Sequence, residues 1–225
     1  MPNEHGSFVH HIFFTKYSLM RILILMLLGW SNLGLHAQSS PPYSEEIAEF
    51  REAYKHDFLL DERAPLKTGE DLAKLRFFEP NERYRVRCAF ARTQDAVPFD
   101  LPTYSGGTRP YVKYGELHFN WKGLTHTLAV YQSLRLRNTP GLAQHLFLPF
   151  NDLTNGESTY GGGRYIDLTV QDVESEKVFL DFNRCYNPWC CYSDGYSCPI
   201  PPAENKLGIA IEAGEKMYAG GKKHG

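Results

Sequence analysis

The residues able to do chemistry crowd into the last third of this 225-residue chain. A polar run starting at Asp152 leads through Asn155-Gly156-Glu157 to Gly161-Gly162-Gly163-Arg164-Tyr165. Consecutive glycines before an arginine let backbone N–H groups approach an anion, with the guanidinium as bidentate partner for a carboxylate or phosphate. The bland alternative is a loop that needs glycine for its backbone angles, with Arg164 in a buried salt bridge to Asp152 or Glu157. A nucleotide-hydrolase phosphate loop is excluded because the Lys-Ser/Thr ending is missing, and a dinucleotide fingerprint because a strand follows rather than a helix. Farther on, Asp181 and Asn183 leave an apolar stretch for a long loop dense in Tyr, Trp, Pro and Cys. Glu204-Asn205 close that loop, and Glu215 follows the next apolar stretch. Two carboxylates among Asp152, Glu157, Asp181, Glu204 and Glu215, held roughly 5–10 Å apart, could share acid and base roles on a glycoside. The serine elbow Gly-x-Ser-x-Gly and the zinc helix His-Glu-x-x-His are both missing, which removes the easily recognised hydrolases.

Four cysteines, Cys185, Cys190, Cys191 and Cys198, fall within this loop. Their meaning depends on the compartment. Near the start, Lys16 and Arg21 precede the apolar run Ile22–Leu28, which ends in small residues at Ala37. That pattern predicts a secretory signal over residues 1–37, cleaved to leave Gln38, with Met20-Arg21 a more typical opening than Met1. The run is too short to span a bilayer, which needs about 20 apolar residues. The mature protein is therefore expected to be exported, periplasmic or secreted, with no membrane span after signal removal. In that setting disulfides are the default over metal, and the spacing lacks the paired C-x2-C knuckles of zinc sites. No metal and no cofactor are expected. Four thiols allow three pairings, and the one with a vicinal Cys190–Cys191 bridge is disfavoured by backbone strain.

The elements that position these groups are mostly strands. Tyr43, Ile47, Phe50, Tyr54 and Phe58 recur at helical spacing behind a possible Ser44 cap with Glu45 and Glu46 in its first turn. Thr68 with Asp71 predicts a second, short helix through Leu75. The period then changes to two. From Arg83 to Phe90, Tyr84, Val86, Cys88 and Phe90 share one face and the arginines the other, which puts Cys88 in the core. A hairpin turning at Lys122-Gly123 gathers Leu117, Phe119, Trp121, Leu124, Leu128 and Val130 on one side. It sends His118 to the polar face and His126 to the apolar one, as a satisfied core histidine. Further strands are predicted at 145–150, 164–170, 177–182 and 206–213. The expected fold is mainly β, an antiparallel barrel or sandwich with one or two N-terminal helices packed on it. One domain spans 38–219, and 220–225 is a disordered tail.

Composition narrows the partners. With 24 Lys+Arg against 26 Asp+Glu the signs are mixed and the net charge is −2, so no basic field invites nucleic acid. A 14% aromatic, 42% hydrophobic chain is not disordered.

Gly163-Arg164-Tyr165, Asp181-Phe182-Asn183, Tyr186-Asn187-Pro188, Cys190, Tyr192 and Cys198-Pro199 together resemble domain-of-unknown-function family 1684. So do Pro201-Pro202-x-Glu204-Asn205, Ala213-Gly214-Glu215-Lys216 and, upstream, Ala64-Pro65-Leu66, Tyr84-Arg85-Val86 and Leu148-Pro149-Phe150 with Asp152 and Thr154. The resemblance covers most of the mature chain in order, and it implies no activity. It implies a Cys190–Cys198 disulfide; Cys185 and Cys191 stand where small residues are expected in the family, and they are left to form a second bridge.

Three functions are compatible with these residues. In the first, a pocket at one end of the β core binds a small polar or anionic molecule, with Arg164 holding the charge and Tyr165, Tyr186 and Asn187 orienting it. Asp181, Asn183, Glu204, Asn205 and Glu215 line the same pocket, and Arg164 contacts at least one of the three carboxylates. The second is a carboxylate-dependent hydrolase. The third is a structural domain in which the polar residues brace the long loop and no ligand binds.

Overall fold

The computed structural model describes residues 41–224. The expected signal segment, 1–37, lies outside the described residues. Helix α1 (Tyr43–Leu60) buries Ile47, Tyr54 and Phe58, the stripe that the periodicity marks. Its N-terminus differs from expectation: the helix begins straight after Pro42, whose φ of −53° suits the entry, so Ser44 lies inside the first turn and no side chain caps it. Helix α2 (Gly69–Leu72) is capped by the Thr68 hydroxyl, which accepts from Asp71 N at 3.1 Å.

The rest is one antiparallel sheet curled into a half-barrel, which meets the mainly β expectation. Its strands are β1 (Arg85–Arg92), β2 (Phe99–Pro102), β3 (Thr108–Trp121), β4 (Leu124–Ser133), β5 (His145–Phe150), β6 (Arg164–Thr169) and β7 (Val178–Asp181). They run in the order β6-β5-β4-β3-β1-β7, and β2 pairs the first part of β3. Short helices α3 (Leu134–Arg137) and α4 (Val170–Glu174) follow β4 and β6. The hairpin register is the expected one, with Trp121 opposite Leu124. Lys122 and Gly123 both take positive φ, 51° and 86°, which matches the twist of the strands they join. Leu124 is still 66% exposed, because the hairpin tip projects past the core. His126 stacks on Phe119 at 5.6 Å as a core histidine would, but its Nε2 is buried without a hydrogen-bond partner, so it is not satisfied.

One face of the sheet packs Val86, Leu117, Leu128, Leu148, Ile166 and Leu180 into one core. The other face, over β4 to β6, carries Ala129, Tyr131, Phe147 and Tyr165 and is covered by α1 and the loop that follows β7. Two expectations fail here. Residues 206–213 form no strand; Lys206 makes a single bridge to Asn151, while Leu207 and Ile211 still bury their side chains in the first core. Within the expected disordered tail, the described residues 220–224 are docked: Lys223 Nζ bonds Asp71 Oδ2 at 2.7 Å and the Pro65 carbonyl at 3.1 Å. Among the described residues no helix is long and apolar enough to cross a membrane.

Candidate functional site

Arg164 opens β6 directly after Gly163, whose φ is +86°. A Cβ at 163 would lie 2.6 Å from the Phe150 carbonyl oxygen, so only glycine lets the chain close on β5 before the arginine. The Arg164 side chain is fully buried. Its Nη2 donates to Asp152 Oδ2 at 2.7 Å and to the Ile211 carbonyl at 2.8 Å. Its Nη1 donates to the carbonyls of Ala213 at 2.5 Å and Glu215 at 3.3 Å. Asp152 is held in turn: its Oδ1 accepts from Thr154 N, the Thr154 hydroxyl and Ile211 N at 2.8, 2.6 and 3.2 Å. The expected contact with the carboxylate of Asp181, Glu204 or Glu215 is therefore not made. Arg164 meets Glu215 only through its backbone, and its ion pair is with Asp152, the bland alternative. Glu157 is exposed.

The segment that Arg164 grips turns its own carboxyl the other way. Glu215 is fully buried and accepts from Tyr192 Oη at 2.6 Å, Asn187 N at 2.9 Å and Tyr54 Oη of α1 at 3.0 Å. Burial pushes the Glu215 carboxyl up to about 7, against the pull of these three donors. Burial first, and then the neighbouring Glu215 charge, raise the Tyr54 and Tyr192 hydroxyls well above the usual phenol range. Asn187 also donates from Nδ2 to the Lys216 carbonyl at 2.8 Å. Tyr186 exchanges backbone bonds with Tyr165 at 2.9 and 3.0 Å, which covers the outer edge of β6. Its hydroxyl donates to Asp167 Oδ2 at 2.8 Å, and Asp167 Oδ1 meets His145 Nε2 at 2.9 Å. Tyr165 Oη donates to the Pro199 carbonyl.

Two further groups have their own partners. Asp181 accepts from Tyr43 Oη at 2.8 Å and from Asn183 N at 3.0 Å. Asn183 then clamps Asn81, accepting its N–H and donating to its C=O, both at 2.9 Å. Glu204 accepts from Tyr131 Oη and Lys113 Nζ, each at 2.6 Å. Partial burial draws the Glu204 carboxyl up, yet the bonds from Lys113 and Tyr131 hold it below the usual range. Asn205 fills a gap in the sheet. Strands β4 and β5 share one bridge, Tyr131 with Phe147. Where they splay, the Asn205 amide accepts from Ala129 N at 2.7 Å and donates to the carbonyls of Ala129 and Pro149, both at 2.8 Å.

Arg164, Tyr165, Tyr186, Asn187 and Glu215 thus form one connected layer, while Asp181–Asn183 and Glu204–Asn205 brace other joints. Tyr54, Tyr192, Asp152, His145 and Asp167 supply most of the remaining bonds, while Arg164 Nε, Asn187 Oδ1 and His145 Nδ1 are buried without hydrogen-bond partners. Tyr54 carried a sequence signal only as part of an apolar stripe, and Asp167 and His145 carried none.

Cys190 and Cys198 form a disulfide with Cα atoms 6.3 Å apart. The second bridge is not made: Cys185 and Cys191 are buried free thiols. They face different cores, Cys185 the one that holds Leu207 and Ile211, Cys191 the one that holds Tyr54 and Phe58. Cys88 is a buried free thiol as well. Burial pushes the thiols up, to about 11 for Cys185 and about 12 for Cys88 and Cys191, so none is a thiolate at neutral pH. Among the described residues no three His, Cys, Asp or Glu side chains stand together as metal ligands.

An antiparallel half-barrel closed by a loop layer, with a buried Arg–Asp pair at the seam, defines a small β domain whose buried polar groups bond mainly to one another. Residues 70–216 match the family described as "Protein of unknown function (DUF1684)", and the chain belongs to that family. It is 31% identical to an uncharacterized protein of Haloarcula marismortui solved by solution NMR. That match covers 76% of this chain and 95% of the other, with a TM-score of 0.58. No curated protein matches the chain.

Proposed function

We propose that this is an exported domain whose polar constellation is scaffold rather than ligand site. The observation that carries this is Arg164. The guanidinium has no exposed surface, and its two terminal nitrogens are taken by an aspartate at 2.7 Å and three main-chain carbonyls; Nε alone lacks a hydrogen-bond partner, and it is buried away from any incoming anion. The carbonyls it holds, at residues 211, 213 and 215, lie on the segment that joins the sheet to α1 through Glu215 and Tyr54. Removing the arginine should therefore loosen the loop layer, not empty a pocket. Export is supported by the Lys16–Ala37 pattern and by the Cys190–Cys198 disulfide, which persists in oxidising compartments.

A carboxylate-dependent hydrolase is the second reading, favoured by one group: Glu215, pushed up to about 7, has the proton affinity of a general acid. It is sealed between two tyrosines and a backbone amide, so a substrate could reach it only after the loop layer opened.

Unfolding of the wild type and Arg164→Met, with and without phosphate or acetate at constant ionic strength, tests the scaffold assignment. Breaking one side of a buried ion pair removes about 3–5 kcal/mol, and the wild type should show no saturable anion shift. A wild type stabilised saturably by either anion, together with a variant that keeps its stability and loses that shift, would overturn it. An unprocessed N-terminus on the exported protein would refute cleavage before Gln38.

A further inference from the structure

Strand β7 covers only part of its neighbour. It pairs β1 over Arg85–Cys88 and stops at Val178, whereas β1 continues to Arg92. On the opposite side β1 stays bonded to β3 through Arg92, and Thr93 N donates to the Tyr114 carbonyl at 3.1 Å. Backbone bonds in an antiparallel ladder alternate between the two sides of a strand. With Thr93 bonded toward β3, the even-numbered residues turn to the β7 side, and Phe90 and Arg92 present N–H and C=O groups where no strand follows. Neither residue has a backbone bond on that side among the described residues. At a rise of about 3.3 Å per residue the uncovered stretch, 89–92, is roughly 13 Å long.

The space beside it is a cleft and not a flat edge. A cavity of about 440 Å³ lies between β1 and the turn after α4. Cys88, Val173 and Val178 are its buried, apolar floor, and Glu174, Ser175 and Glu176 its exposed rim, facing Arg92. Arg92 is already engaged, its guanidinium 3.4 Å over the Tyr114 ring and bonded to the Tyr114 carbonyl at 2.5 Å. The charge left for a visitor is that of Glu176 and of the second carboxylate oxygen of Glu174, whose Oε1 accepts from Tyr114 Oη at 2.6 Å.

We propose that the cleft takes an extended peptide segment carrying lysine or arginine, which adds a strand to the open end of β1. This goes beyond the scaffold assignment and does not rest on it. Main-chain groups of the peptide pair with Phe90 and Arg92, apolar side chains sit over Cys88 and Val178, and the basic side chain on the opposite face of the added strand reaches Glu174 and Glu176. A second copy of this chain suits the cleft less well, because its own β1 edge would bring a second pair of glutamates to the same interface.

The full mature chain is titrated with acetyl-Val-Lys-Val-Lys-Val-amide, its Glu-for-Lys analogue, and a version N-methylated on alternate residues. Binding is read by amide NMR shifts, with sedimentation as a control. The proposal expects saturable binding of the lysine peptide, shifts confined to 88–92 and 173–178, and at least tenfold weaker binding of both other probes. Glu174→Gln/Glu176→Gln should weaken the lysine peptide by a similar factor while leaving thermal stability close to wild type. Absent binding, equal binding of the lysine and glutamate peptides, shifts elsewhere, or self-association through this edge would each overturn it. The scaffold assignment is decided separately by the stability of Arg164→Met, so either can fail while the other stands.

Discussion

Glu215→Gln isolates the energetics of the buried layer. In the folded chain burial holds the Glu215 carboxyl at about 7, against 4.5 for the free side chain. A folded value above the unfolded one means that the native state binds the extra proton. The associated stability is fully present below about pH 4.5 and is lost as pH rises to about 7. A difference of about 2.5 in pKa is about 3 kcal/mol between the two limits. Glutamine imitates the neutral acid: its oxygen can accept from Asn187 N and Tyr54, and its amide can donate to Tyr192 Oη, whose own proton then turns to the Tyr54 oxygen 3.0 Å away. Urea unfolding of both proteins at pH 4.5 and pH 8 should therefore show near-equal stability in acid and a variant more stable by up to about 3 kcal/mol in base. Groups that act in the opposite sense, such as Asp71, which its bond from Lys223 helps hold down at about 2, cancel in the comparison. A stability difference that does not change with pH would refute the argument, because it would mean that Glu215 is not desolvated in the native state.

The other joints yield sharper mutational outcomes. Asn205→Ala strips partners from Ala129 N–H and from the carbonyls of Ala129 and Pro149; at about 1–3 kcal/mol per buried unsatisfied group, a loss of roughly 3–5 kcal/mol is expected by chemical denaturation, with faster hydrogen exchange at Ala129 than at Leu128. Replacing Cys190 and Cys198 together by serine opens a loop of sequence separation 8 and should lower stability by roughly 2–3 kcal/mol; mild reductant should shift the wild-type melting temperature in the same direction and leave the double variant unmoved.

Strand β1 and the hairpin were legible because one physical constraint wrote them, alternate residues buried on one face, joined in the hairpin by a turn dipeptide that takes positive φ. Segment 206–213 shows the same alternation and is not a strand. Alternation records which side chains are buried, and Leu207 and Ile211 are buried, but the backbone there bonds a loop, Leu207 N to the Asn151 carbonyl and Leu153 N to the Ile209 carbonyl, instead of a ladder. The placement of Arg164 and Asp181 where strands give way to loops was also legible.

What the pattern could not carry was the identity of their partners. A buried arginine must be satisfied whether by an aspartate or by an anionic ligand, and both demands select the same residue after the same glycine. The choice is made by segments far away in sequence. Asp152 stands 12 positions before Arg164, Ile211 47 after it, and Tyr54 161 before the Glu215 it caps. Tyr54 shows why this escapes a local reading: helical spacing assigns it to the buried side of α1, and the ring does pack there, against Phe58 and Phe77. Its hydroxyl nevertheless ends the polar chain that begins at Asp152. A residue that is apolar by periodicity and polar by partner can be assigned only when both segments are in place, and in this fold such residues, rather than a vacant pocket, are where the conspicuous carboxylates and amides find their bonds.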